Sequence, residues 1–245
     1  MVRHSLRFIL ASLSLASVTF AVPAPSQPLI DPVQQRALTI RDRFISAMKV
    51  CGDRPGIVPG VVVKTDASMV SYMPRDHALY VSRWSELDPQ IQGLVAAWAA
   101  QGTLGLKPDQ MFGEIFNDLL VAHELGHYLQ DSSGRLQKLD SWDSEVEANR
   151  IAIAFFQLKQ KDRTLLPKRI ENFTRFLTTL PNPVPSGETP HAYFVKNYEK
   201  LGGDPQAYGW YQGAFMQTAW ASRGERDFCG WVKLNPPSPK PKRSR

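Results

Sequence analysis

Cysteine is almost missing from this chain: Cys51 and Cys229 are the only two in 245 residues. Neither belongs to a C-x-x-C pair, which excludes a thiolate zinc ribbon and a dithiol redox motif. No run of 18 or more apolar residues follows the N-terminal stretch, so no membrane-spanning helix is expected in the mature chain. Internal repeats are absent, and Gly202-Gly203 stands alone without the pattern of a phosphate-binding loop. An excess of charge is also missing from the body of the chain. Of the formal +6, Arg3 and Arg7 supply two and Lys240, Lys242, Arg243 and Arg245 supply four. A nearly neutral body gives no nucleic-acid signature.

What is present begins with an export signal. Arg3 and Arg7 form a positive end, Phe8 to Phe20 form an apolar run too short for a typical span, and Thr19-Phe20-Ala21 offers a small-x-Ala cleavage site. Residues 1–21 are therefore expected to be a signal peptide, an uncleaved N-terminal anchor being the alternative, and no nearby cysteine offers a lipid attachment point. Residues 22–30 are a Pro-rich lead-in, 31–233 the folded domain, and 234–245 a disordered basic Pro-rich tail. The expected location is periplasmic or secreted. In such a compartment Cys51 and Cys229, near opposite ends of the domain, are expected to close one disulfide.

The most informative segment is QMFGEIFNDLLVAHELGHYLQ, residues 110–130, which carries His123, Glu124 and His127. At 3.6 residues per turn the two histidines lie about 40° apart on one helix face and can grip one zinc ion. Glu124 sits at the edge of that face, within reach of a water in the ion's open position. Glu114, Asn117 and Asp118 are expected to be the helix's solvated residues. Gly126 costs about 1 kcal/mol of helix propensity relative to Ala, which a close neighbour at that turn would explain.

A second segment, LDSWDSEVEANRIAIAFFQLKQ at 139–160, supplies the third ligand. Ser144 and Glu147 fit a capping box, placing a helix start there. Glu145 shares a face with Ala148, Asn149, Ala152 and Phe156, whereas Glu147 points about 200° away. Glu145 is therefore read as the metal-binding carboxylate, and Asn149 as the residue that fixes a ligand histidine's ring.

Around these, helices are expected over about 32–48 with Asp31 as cap, 86–101 with Ser85 as cap, 163–180, 192–201, and about 205–222 with Asp204 as cap. Val61–Lys64 reads as a strand, and Met69–Met73 with Ala78–Ser82 as a hairpin, with His77 an exposed residue of its turn. The free edge of that small sheet is a place where an extended peptide could align.

HELGH followed by EVEAN resembles the gluzincin metallopeptidases, whose second motif reads E-x-E-A-N or E-x-E-A-D. The resemblance spans about residues 119–155. It implies an α+β, zincin-like fold: a small N-terminal β-sheet, an active-site helix and a mainly helical C-terminal part, with the cleft between. It also implies Glu145 as zinc ligand and Asn149 as its supporting partner.

Two imidazoles, one carboxylate and an open position are the composition of a catalytic zinc site, with Glu124 as general base for hydrolysis of an amide bond. A donor for the oxyanion is expected from Tyr211, His191 or Tyr208, with Tyr193 and Tyr198 as further candidates; Gly209 and Gly213 would allow close approach around Tyr208 and Tyr211. The expected activity is that of an exported zinc peptidase acting on a peptide or protein substrate. The alternatives are a non-catalytic zinc-holding binding or assembly protein, and a zinc peptidase or amidase acting on cell-wall peptides.

Overall fold

The structure, a computed structural model, describes residues 30–66 and 68–236. The expected signal peptide, most of the lead-in and the tail from residue 237 lie outside the described residues. The described chain is mostly helical with one small sheet, an α+β arrangement.

Helix α1 spans Pro32–Val50. Asp31 caps it, its Oδ1 accepting from the N–H groups of Val33 and Gln34 at 2.8 and 3.2 Å, and Pro32 occupies the first turn, where its missing N–H is no loss. Strands β1 (Gly60–Val63), β2 (Val70–Met73) and β3 (Ala78–Val81) follow. Their spatial order is β1-β3-β2, with β1 parallel and β2 antiparallel to β3. His77, with φ 46°, lies exposed in the β2–β3 turn.

Helix α2 (Pro89–Gln101) is capped by Asp88 and not by Ser85, which instead lies in a 3-10 turn at Trp84–Glu86. The run through the His-Glu motif consists of α3 (Pro108–Glu114), a π-helical turn at Ile115–Leu119, and α4 (Leu120–Ser132). The extra residue in that turn re-phases the helix, so a single face cannot be projected from Phe112 through to His127. Asn117 is buried, and Glu114 and Asp118 are gripped between Arg36 and Arg169, so the expected solvated side is enclosed by ion pairs.

Helix α5 (Ser141–Phe156) starts three residues before Ser144. Its cap is Asp140, whose Oδ1 accepts from the Asp143 N–H at 2.8 Å. The Ser144–Glu147 capping box therefore does not form: Ser144 is already inside the helix and Glu147 is a buried residue of its second turn. Helices α6 (Gln160–Leu177), α7 (Pro190–Gly202) and α8 (Pro205–Ala221) complete the helical part. Gly209 and Gly213 give α8 its close approach, but to Leu177 and Leu180 beside α6.

A final helix, α9 (Phe228–Leu234), was not legible as a separate element. It carries Cys229, which is bonded to Cys51 just past α1, across 178 residues of sequence. Phe228 packs edge-on against Phe44 at 5.0 Å and beside Phe155, so α1, α5 and α9 share an aromatic core under the disulfide. Asn235, expected in the tail, is fully buried, and its Oδ1 accepts from Ser133 Oγ at 3.2 Å. Among the described residues no helix is long and apolar enough to cross a membrane.

Candidate metal centre

Helices α4 and α5 lie close together because glycine faces alanine. A Cβ built on Gly126 would sit 2.8 Å from Ala148 Cα and 2.9 Å from its carbonyl oxygen, so only a residue without a side chain fits at this crossing. The approach brings Glu145 over the two histidines one turn apart on α4. His123 Nε2 and His127 Nε2 are 3.1 Å apart, and the Glu145 carboxylate oxygens lie 3.3 Å from the first and 3.7 Å from the second. His123 and Glu145 are buried and His127 is partly open.

The other ring nitrogens face oxygen. His123 Nδ1 is 3.1 Å from Asn149 Oδ1, and His127 Nδ1 is 2.9 Å from Gln130 Oε1. Each Nδ1 therefore donates, so that in the neutral ring Nε2 carries the lone pair. Two imidazole nitrogens and a carboxylate converging in a buried site are a donor set that fits a metal ion.

The three groups are electrostatically coupled. Burial works against ionisation of Glu145, but the two imidazoles outweigh it and hold the carboxyl well below its usual range. For His127, burial disfavours the cation, yet hydrogen bonding and attraction to Glu145 lift its pKa to about 9.

Glu124 stands beside the trio with one oxygen committed and one free. Its Oε2 accepts from the Tyr72 backbone N–H at 2.7 Å, and its Oε1 lies 4.0 Å from His123 Nε2. Tyr72 belongs to β2, an edge strand, and this N–H is turned off the sheet towards α4. The Tyr72 hydroxyl donates to Asp131 Oδ2 at 2.9 Å, fixing the strand to the same helix at a second point. Burial raises the Glu124 carboxyl's pKa, with the histidines pulling it back.

The expected donors separate clearly. Tyr208, on α8, reaches the site: its hydroxyl lies 3.5 Å from Glu145 Oε1, and burial and then the Glu145 charge push its pKa well up. Tyr198, half exposed on α7, also feels the charges of Glu145 and Glu124. Tyr211 does not reach the site. It is 0% exposed in a cluster with Phe194 and Phe215, and its hydroxyl donates to the Pro190 carbonyl at 3.3 Å. His191 is likewise elsewhere: it is exposed, 2.9 Å from Asp140 Oδ2, and stacked on Trp142.

Three residues of the site carried no clear signal in the sequence. Gln212, one turn beyond Tyr208, points Nε2 at Glu145 Oε2 from 3.5 Å. Gln130 supports His127, and Ser144 Oγ lies 3.1 Å from Gln130 Oε1. The i, i+4 spacing of Tyr208 and Gln212 was available, but only the packing of α8 on α5 aims it at Glu145. No protein-family model, curated protein or solved structure matches the chain.

Proposed function

We propose that this protein is an exported zinc peptidase of the gluzincin type. The observation that carries the reading is the convergence of His123, His127 and Glu145 with a glutamate, Glu124, whose free oxygen faces the same point. A mere holding site needs the first three residues and has no use for the fourth, which favours turnover over storage. Neutral imidazoles with one carboxylate suit zinc, and fewer than four protein ligands suit a catalytic ion. A small sheet whose edge strand touches the motif helix, followed by a glutamate-bearing helix, supports a zincin-like arrangement.

A zinc ion held by His123, His127 and Glu145 would supply Lewis acidity. The chain's own groups do the rest. Glu124 Oε1 takes the proton of the attacking water and hands it to the leaving amine, while the Tyr72 N–H keeps Oε2 fixed. Burial raises this carboxyl's proton affinity and suits it to both halves of that transfer. Tyr208 is the oxyanion donor in this reading, supported by its hydroxyl lying 3.5 Å from Glu145 Oε1, whereas Tyr211 and His191 are turned elsewhere. The β2 edge is not free to align a peptide through its N–H groups, because that of Tyr72 goes to Glu124 and that of Val70 to the Ser68 carbonyl. The Cys51–Cys229 bridge supports an oxidising, extracytoplasmic location.

Cleavage of a broad quenched-peptide library by the zinc-reconstituted protein tests the proposal. Hydrolysis by the parent and none by Glu124→Gln is the expected result.

A further inference from the structure

His127 is the more exposed of the two ligand histidines, and it is supported by a longer chain of side chains than His123. Gln130 follows it by three residues on α4 and is 0% exposed. The Gln130 amide can point only one way. Its Nε2 lies 3.1 Å from the Ser144 carbonyl and 3.3 Å from Glu147 Oε1, both pure acceptors, so its Oε1 must face His127. Glu147 is itself fixed by a fork from Arg135, with Nε 2.9 and 3.0 Å from its two oxygens and Nη2 2.7 Å from Oε2. By contrast Asn149, which supports His123, has a buried Nδ2 without a partner among the described residues.

The local chain path delivers Arg135 to that position. Gly134 takes φ 69° at the end of α4, and the Arg135 N–H returns to the Gln130 carbonyl at 2.8 Å. The same residue thus binds the backbone of Gln130 and the carboxylate that orients its side chain.

We propose that Gln130 is the positioning residue for His127, and that the Arg135–Glu147 pair sets the Gln130 amide so that His127 always offers Nε2 to the metal. The inference rests on the metal-centre reading and adds a residue chain running from the half-exposed Arg135 to a ligand. Glu147 polarises the Gln130 amide, which strengthens the oxygen that accepts from His127. A bare carboxylate at position 130 would face Glu147 at close range, so an amide there is the side chain that satisfies both neighbours.

Zinc affinity, measured by competition with a chromophoric chelator, tests this on the whole protein. Gln130→Leu should bind zinc about 10- to 100-fold more weakly than the parent, and Arg135→Met should show a smaller loss of the same sign. In zinc-loaded protein labelled with 15N-histidine, the parent should show a protected Nδ1 proton on His127 that Gln130→Leu loses. Folding of each metal-free variant is checked by circular dichroism. A folded Gln130→Leu protein that binds zinc as tightly as the parent overturns the inference. If that variant does not fold, unchanged affinity in Arg135→Met overturns it instead. A parent that binds no zinc overturns the metal-centre reading beneath it.

Discussion

Gly126 and Ala148 meet almost backbone to backbone, and that contact sets the distance between the helix that carries His123 and His127 and the one that carries Glu145. Gly126→Ala would gain about 1 kcal/mol of helix propensity. It would also drive a methyl group into the Ala148 main chain, at an overpacking cost of about 1–3 kcal/mol. The variant should therefore be less stable by thermal unfolding and should bind zinc more weakly, because Glu145 moves away with α5. An increase in both stability and zinc affinity would show that the crossing is not tight.

Tyr208 and Tyr211 sit three residues apart but face different surroundings, Tyr208 towards Glu145 and Tyr211 towards the Pro190 carbonyl, and the proposed function gives only Tyr208 a part in turnover. Tyr208→Phe should lower kcat by about 100-fold or more, the loss typical of one oxyanion donor, with zinc content unchanged. Tyr211→Phe should leave kcat alone and cost about 1 kcal/mol of stability, the value of one hydrogen bond. Steady-state kinetics and denaturant unfolding of the pair separate the two roles.

Asp140 gives a pH dependence of known sign. Burial raises its pKa, but the Asp143 N–H, His191 and the Trp142 N–H outweigh that and leave it below 3.8. A depressed folded-state pKa stabilises above the unfolded value and is lost as pH falls through the folded one. Asp140→Ala should cost about 1 kcal/mol near neutral pH as a lost helix cap. The deficit should shrink in acid, below pH 3.8, where the parent loses the same contribution. Urea unfolding across that range measures it.

Much of this was local enough to read. Asp31, Asp204 and their following prolines mark helix starts because a cap is a contact over two or three residues. The His123–His127 spacing and the shared face of Glu145 and Asn149 follow from helix period alone. What was not legible depends on packing. Tyr211 and Tyr208 are equivalent by sequence, and only the seating of α8 buries one and aims the other. Glu147 resembles a capping residue until Asp140 is seen to start the helix earlier and Arg135 to return from the loop. The π-helical turn at Ile115–Leu119 has no short-range signature, and its Asp118 pairs with Arg36 and Arg169 from distant helices.

The disulfide joins the first described helix to the last. Replacing Cys51 and Cys229 with serine should cost about 2–5 kcal/mol, because a long loop is released in the unfolded chain. Zinc stoichiometry should be unchanged, since neither cysteine touches the ligands. Guanidinium unfolding with and without reductant gives the difference.

The central claim is best tested by measuring zinc content and peptide hydrolysis together in three proteins: the parent, Glu124→Gln and Glu145→Ala. The account predicts one zinc and turnover in the parent, one zinc without turnover in Glu124→Gln, and loss of zinc in Glu145→Ala. Full hydrolysis by Glu124→Gln, or a parent that holds no zinc after reconstitution, would contradict it.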